Sequence, residues 1–369
     1  MGLKETIKID VYICRSKKEF TTFVTNVDVT MKQLESFLDS PFYRVIYKDD
    51  NTQATKDNML EHFIGGGGGD LPDSYIAMTE FSSSGVTKAL INNINPPTDI
   101  FKNNATLTTV QMSGNITAIS NGAFNSCSSL KNINIPDTVT SLGNNAFVSC
   151  YNMELTELPE SITSIGESTF YGCSKLALTE LPDGLTAIEE YAFNGCSELA
   201  LTKLPDSVLG IASSAFGYCS KLALTELPSN LTTIGSSAFS NCPELALTSL
   251  PDTLTTIGSS AFSSCSKLAL TSLPEGLTDI DDQAFYNCSS IALTKIPADV
   301  TYIGTRAFGG CTGLTTLTFG GTPSNIRNYA FDGCSNLTTI NVPWSEDEVS
   351  GAPWGATSAT ITYNYVPTT

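Results

Sequence analysis

Histidine is nearly absent from this chain, since His62 is the only one among 369 residues. No Cys-x-x-Cys pair occurs either, so the clustered sulfur and imidazole ligands of a zinc site are missing. The carboxylates recur with a sequence repeat instead of forming one unique pair, and no nucleophile motif is present. We therefore expect no catalytic residues, no bound metal and no cofactor, and we interpret His62 as a plain surface or packing residue.

Positive charge is also scarce. The chain has 19 Lys and Arg against 37 Asp and Glu, a formal net charge of −18. Such a balance repels phosphate backbones and anionic membrane surfaces, which argues against nucleic acid and peripheral lipid as partners. No apolar stretch approaches the roughly 18 residues of a membrane helix, so we expect no membrane insertion. The first 20 residues lack the continuous apolar segment of a secretory signal, which predicts that the chain does not use that route.

Cysteine, in contrast, recurs with a fixed period. Ten of the 11 cysteines follow one another at intervals of 23 residues, from Cys127 to Cys334, and a phenylalanine precedes each by three residues. A fixed period in the twenties is typical of a solenoid, in which each repeat buries its apolar face by stacking on its neighbours. The apolar positions of the repeat that starts at Cys219 are Leu222, Leu224, Leu227, Leu231, Ile234 and Phe239.

Local patterns predict the elements of one repeat. Residues Leu222 to Thr225 alternate between apolar and small or polar, which predicts a short strand that pairs in parallel with neighbouring coils. A second short strand is expected over Leu231 to Ile234. Ser237 to Phe239 is predicted to form a helical turn that directs the phenylalanine ring inward.

The repeated cysteines admit three interpretations. Stacked coils would bring the Cα atoms within disulfide range, but neighbouring side chains would point the same way, and metal ligation lacks the necessary clustering. We favour the third, in which cysteine is a small buried apolar residue. The phenylalanine column is interpreted as core, and Cys14, outside the repeat, as a thiol in a strand core.

Composition divides the chain into five segments. We predict a small α+β anchoring domain over residues 1–64, with strands near 7–13, 20–29 and 42–47 and helices after Thr30 and over 56–63. Five consecutive glycines at 65–69 form a flexible linker. An N-terminal cap over 70–104, with a possible strand near 74–81, precedes the repeats at 105–343. A C-terminal cap over 344–369 contains both tryptophans.

The repeat consensus is Ile-Gly-x-x-Ala-Phe-x-x-Cys-x-x-Leu followed by Ile-Pro or Leu-Pro, and it resembles the BspA-like, or type-5, leucine-rich repeat family from about Asn104 to Pro343. The inner repeats depart from the family form because their second apolar residue is moved by one place, which leaves strand register open. The resemblance implies an α/β solenoid of 23-residue leucine-rich repeats, with short parallel strands plus helical turns, beside the small α+β domain. Family members are mostly adhesins of bacteria and protists, and the repeat brings no catalytic residues.

The flanking segments resemble a narrower class. A glycine run after a small N-terminal domain, and the closing segment that starts Trp-Ser-Glu-Asp-Glu-Val, are similar to appendage proteins of bacteriophages. The predicted function is therefore non-enzymatic attachment by a virion appendage, a tail or head fibre, whose repeats bind a host-surface protein or glycan and whose residues 1–64 contact a virion or surface protein. The alternative is an extracellular, bacterial cell-surface adhesin that binds host proteins or glycans. Self-association is left open.

Outward positions near the Leu-x-Leu-Thr segment are the candidate partner-binding residues. Threonine has a competing structural interpretation there, since it favours strands and forms hydroxyl ladders. A second candidate surface is the aromatic concentration at the C-terminal tip, formed by Tyr302, Phe319, Tyr329 and the two tryptophans. The candidate partner-binding residues are Thr156, Glu157, Thr179, Glu180, Thr202, Lys203, Thr225, Glu226, Thr248, Ser249, Thr271, Ser272, Thr294 and Lys295.

Overall fold

The computed structural model describes residues 7–16, 19–29, 43–49, 52–53, 88–92, 95–113, 116–346 and 348–366. The chain forms two compact units, Met1–Leu155 and Thr156–Thr369, and each is described by itself. The helices predicted after Thr30 and over 56–63, the strand near 74–81, His62 and the glycine linker lie outside the described residues.

The first unit begins with a four-stranded antiparallel sheet in the order β2-β1-β3-β4. Its strands are β1 (Ile7–Ser16), β2 (Glu19–Val29), β3 (Tyr43–Asp49) and β4 (Thr52–Gln53). The three strands predicted near 7–13, 20–29 and 42–47 are thus found, and each is a little longer than or shifted from its predicted range.

Parallel strands of the repeat type follow in the same unit. They are β5 (Lys88–Asn92), β6 (Thr109–Ser113), β7 (Ala118–Ile119), β8 (Asn132–Ile133) and β9 (Ser141–Leu142). Strands β5, β6 and β8 form one parallel sheet, and β7 pairs in parallel with β9. The repeat spacing of the strands therefore extends back to Lys88.

The second unit carries two sets of parallel strands. Each strand of the first set has two residues and ends on an isoleucine, and β11, β12, β13, β14, β15, β17 and β19 form one 7-stranded sheet. This set comprises β10 (Ser164–Ile165), β11 (Ala187–Ile188), β12 (Gly210–Ile211), β13 (Thr233–Ile234), β14 (Thr256–Ile257), β15 (Asp279–Ile280), β17 (Tyr302–Ile303) and β19 (Asn325–Ile326). The second set forms a 4-stranded sheet of β16 (Lys295–Ile296), β18 (Thr316–Phe319), β20 (Thr339–Asn341) and β21 (Thr360–Thr362).

The predicted helical turn at Ser237 to Phe239 is replaced by a different turn, and the described residues contain no helix. Ser237 and Asn241 have φ of 55° and 59°, in the left-handed region that a right-handed helix excludes. The N–H groups of Ser237, Phe239 and Asn241 donate to carbonyls of the next coil, each at 2.8 Å. These donors therefore join one coil to the next, whereas a helix would pair them internally.

Stacked phenylalanine rings form the core of both units. In the second unit the rings from Phe170 to Phe331 have centroids 5.3–5.6 Å apart, and adjacent ring planes lie within 15° of parallel. In the first unit Phe124 stacks in the same way between Phe101 and Phe147. These rings are buried, which confirms the prediction that the phenylalanine column is core.

The repeated cysteines are free and buried, as predicted. They also have a polar role that the sequence interpretation missed, because most of the thiols donate to the carbonyl of a phenylalanine in the preceding coil. Cys242 Sγ lies 3.0 Å from Phe216 O, and Cys265 Sγ lies 3.0 Å from Phe239 O. In the first coil Asn104 takes the cysteine position, and its Oδ1 accepts from the backbone N–H of Leu107 at 3.0 Å.

Candidate functional site

The Leu-x-Leu-Thr segment forms a bend in the inner repeats, where a strand was predicted over Leu222 to Thr225. Between neighbouring coils the segment is joined by bonds such as Ala223 N–H to Leu201 O at 3.1 Å, and no strand ladder forms there. The strand prediction is therefore wrong for the inner repeats, while the outer repeats form β18 and β20 at the corresponding place.

The displaced leucine explains this difference. In the outer repeat that starts at Cys311, Leu317 and Phe319 are both buried and alternate along β18. In the inner repeat that starts at Cys265, Leu270 and Leu273 are buried instead, so two consecutive residues between them face solvent. Two adjacent exposed residues break the alternation that a strand requires, and the backbone bends.

All fourteen candidate residues are exposed, and they lie in this bend of the second unit. We call them the bend columns: one column holds the threonine of each coil, and the other holds the residue that follows it. A column of small residues, such as Ala223 and Ala246, lies beside them and is half-buried. The structure thus brings the predicted residues together on one surface, and their role in binding stays a prediction.

The hydroxyl groups of the bend threonines are not used by the fold. Within the described residues, none of these hydroxyls makes a hydrogen bond to a protein atom, which leaves them available to a ligand. The threonines concerned are Thr156, Thr179, Thr202, Thr225, Thr248, Thr271 and Thr294.

A second set of hydroxyl residues, which we call the strand-side column, behaves differently. Thr232 Oγ1 donates to Leu209 O at 3.0 Å, and Thr278 Oγ1 donates to Thr255 O at 3.1 Å. Ser324 Oγ donates in the same way to the carbonyl oxygen of Thr301, at 2.9 Å. The hydroxyl ladder that competes with a binding role therefore lies beside the two-residue strands, outside the bend columns.

The charged side chains of the bend columns are also largely unpaired. Lys295 Nζ contacts the Glu275 carboxylate at 2.9 Å. Among the described residues, no ion pair involves Glu180, Lys203 or Glu226. The surface therefore combines unpaired hydroxyls with a few unpaired charges of both signs, an arrangement suited to hydrogen bonding with a partner.

The aromatic residues near the C-terminus divide into two groups. Phe319, Trp344 and Trp354 are buried and pack on one another, with Phe319 and Trp344 ring centroids 5.1 Å apart. They are core residues and offer no surface to a partner. Tyr329 is 56% exposed, and Tyr302 is partly exposed.

Other site chemistries find no place in the described part of the chain. No group of three or more His, Cys, Asp or Glu side chains there is arranged to hold a metal ion. Over the same residues, no helix has the length and apolar character needed to cross a bilayer.

Comparison with known proteins identifies the repeat. The family model described as "BspA type Leucine rich repeat region" matches residues 94–223, 186–312 and 278–351. A search of curated proteins finds no match.

Solved structures of bacterial repeat proteins are similar to the chain. A leucine-rich repeat protein from Bacteroides ovatus is 22% identical, with a TM-score of 0.47 and coverage of 79% of this chain and 85% of that one. A leucine rich cell surface protein from Faecalibacterium prausnitzii is 27% identical, with a TM-score of 0.49 and coverage of 75% and 83%. With TM-scores below 0.5, these likenesses carry no argument about function, and the family match alone does.

Proposed function

Because the chain belongs to the BspA-type leucine-rich repeat family, we propose that it is a non-enzymatic adhesin of a bacterial cell surface. Its bend columns bind an extended partner, a protein segment or a glycan chain, on a host surface. The observation that carries this proposal is the row of bend threonines, whose hydroxyls make no hydrogen bond within the described residues.

The repeat geometry favours an extended partner over a small ligand. Stacked coils place equivalent residues about 4.7–4.9 Å apart, so the threonine column forms a regular line of hydroxyls. Each coil adds the same weak contact, and many such contacts on one tether raise the overall affinity without a deep pocket. A ligand that tracks several coils profits from this arrangement, whereas one that fits a single coil does not.

The virion appendage hypothesis has less support than the adhesin. Of its two cues, the glycine run at 65–69 lies outside the described residues. The other is the closing segment, whose tryptophans Trp344 and Trp354 are buried in the core of the last coils. Packing accounts for these tryptophans in any protein of this fold, and the family match gives no indication of a virion.

A matched pair of variants tests the bend columns. In the first, Thr202, Thr225, Thr248 and Thr271 are replaced by valine, which keeps the branched shape and removes the hydroxyl. The control replaces Thr232, Thr278 and Thr301 of the strand-side column, whose hydroxyls bond to backbone carbonyls. Binding is measured to immobilised extracellular matrix proteins and to a neutral glycan array.

We expect the bend variant to fold normally and to lose at least about tenfold in affinity, the effect of about 1.4 kcal/mol of lost contacts. The control should lose stability and keep its affinity. Equal affinity of the bend variant and the unchanged protein would refute the assignment of the binding surface.

Location separates the adhesin from the virion appendage. Antibodies against the repeats should label intact, unlysed cells of the producing bacterium. Labelling confined to phage particles released by lysis would overturn the adhesin and favour the virion.

A further inference from the structure

Two adjacent coils of the second unit carry four large side chains where most other repeats have small ones. Tyr302 and Arg306 belong to one coil, and Arg327 and Tyr329 to the next. The preceding repeat has Asp279 at the position of Tyr302, and earlier repeats have threonine, glycine or alanine there. We call these four residues the arginine–tyrosine patch, and they lie apart from the bend columns in the repeat.

The four side chains make two matching contacts between the coils. The Cζ atom of Arg306 lies 5.9 Å from the ring centroid of Tyr329, and that of Arg327 lies 5.8 Å from the ring centroid of Tyr302. Both distances are within the range of cation–π interactions. Strands β17 and β19 pair with Tyr302 opposite Asn325, which brings Arg327 diagonally beside the tyrosine ring.

The guanidinium groups retain most of their hydrogen-bonding capacity. Arg327 has no carboxylate within 4.0 Å among the described residues. Arg306 contacts Asp332 through Nε alone, at 3.6 Å, which leaves its terminal nitrogens for a further acceptor. An arginine held over an aromatic ring with its fork unpaired is suited to a planar oxyanion such as a carboxylate.

We propose that the arginine–tyrosine patch binds an acidic sugar residue, a carboxylated pyranose within an otherwise neutral glycan. The arginine forks bind the sugar carboxylate, and the exposed ring of Tyr329 packs against the pyranose. Charge favours this occupant over a polyanion. Asp282 and Asp332 flank the patch, and the chain has a net charge of −18, so repeated negative charges are repelled while one carboxylate is accepted.

The patch differs from the bend columns in residues and in ligand chemistry, so the two proposals fail independently. Tyr302 and Tyr329 are positioning residues for the guanidinium groups, because each lies against an arginine of the neighbouring coil. The prediction is specific: acidic sugars bind, their neutral counterparts do not, and removal of either arginine weakens binding.

The test uses the full chain and three probes: the methyl glycosides of glucuronic acid, N-acetylneuraminic acid and glucose. Saturation-transfer NMR and calorimetry should detect binding of at least one acidic glycoside and none of the glucoside. Arg327→Gln should weaken the bound glycoside at least about tenfold, as expected for loss of a charge-assisted hydrogen bond. Arg327→Lys, which keeps the charge and loses the fork, should weaken it less.

Two further variants distinguish positioning from a general effect on the fold. Tyr302→Phe retains the ring and should bind as the unchanged protein does, whereas Tyr302→Ala should weaken binding. Lys203→Gln removes an unpaired cation of the bend columns and should have no effect on these probes. Three results would overturn the proposal: no binding of either acidic glycoside, equal binding of the glucoside, or unchanged affinity in Arg327→Gln. Tighter binding of polyglutamate than of the acidic glycosides would overturn it as well.

Discussion

Truncation of a single stacked ring should destabilise the second unit strongly. Phe216 is fully buried, and its ring stacks between those of Phe193 and Phe239 at centroid distances of 5.4 and 5.6 Å. Burial of the side chain contributes about 1.5–3 kcal/mol. Each of its two ring contacts adds about 0.5–1.5 kcal/mol. We therefore expect Phe216→Ala to cost about 3–5 kcal/mol, the usual range for a buried phenylalanine.

A graded series separates ring stacking from burial. Phe216→Leu keeps an apolar side chain and loses both ring contacts, so its cost should be about 1–3 kcal/mol. Glu226→Ala, at an exposed position of the bend columns, should change stability by less than about 0.5 kcal/mol.

Guanidinium chloride unfolding followed by circular dichroism measures all three variants. Because a solenoid can unfold in parts, both the midpoint and the slope of the transition should be compared with the unchanged protein. Equal costs for Phe216→Ala and Glu226→Ala would refute the stacked core.

Two further predictions concern close packing and thiol ionisation. A Cβ on Gly235 would lie 2.6 Å from a backbone nitrogen of the preceding coil, so Gly235→Ala should cost about 1–3 kcal/mol, whereas Gly276→Ala, with no atom within 4 Å, should be nearly neutral in the same unfolding assay. Burial raises the pKa of the Cys242 thiol to about 12 from 9.0. Since the folded state then holds its proton more tightly than the unfolded state, stability should fall as pH rises from about 9 to 12. Iodoacetamide at pH 8 should modify Cys242 only after denaturation, as intact mass will report, and rapid modification of the native protein would contradict its burial.

The repeat period made the solenoid predictable, because a column of identical residues every 23 positions has to be buried by stacking. Phe216 and Cys219 were assigned to the core on this basis, and both are fully buried. The thiol hydrogen bond was not predictable, since it depends on how far the Phe193 carbonyl of the preceding coil lies from Cys219 Sγ, which is 3.1 Å.

Local backbone conformation was harder to predict than the core. Ser237 adopts left-handed φ in a turn whose sequence, Ser-Ser-Ala-Phe, also suits a helical turn. Bonds to the next coil decide between the two conformations, and a single repeat does not reveal them.

The candidate site was only partly predictable from the sequence. Outward positions follow from the leucine pattern, but the same pattern suggested a strand with a hydroxyl ladder at Thr225. The structure separates Thr225 from Thr232, whose hydroxyl does bond to the preceding coil. The contact between Arg327 and Tyr302 escaped prediction because it joins two coils, and side-chain pairing of that kind depends on their stacking.

Removal of whole coils tests the central claim most directly. Deletion of one, two or three inner repeats of 23 residues, cut at equivalent positions between Cys196 and Cys265, leaves the remaining coils able to stack. Each shortened protein is first checked for cooperative unfolding, and its dissociation constant is then measured for the matrix protein or neutral glycan that the full chain binds. If the bend columns form a repeated binding surface, the dissociation constant rises stepwise with every coil removed. An affinity that stays constant while folded coils are removed would contradict that account.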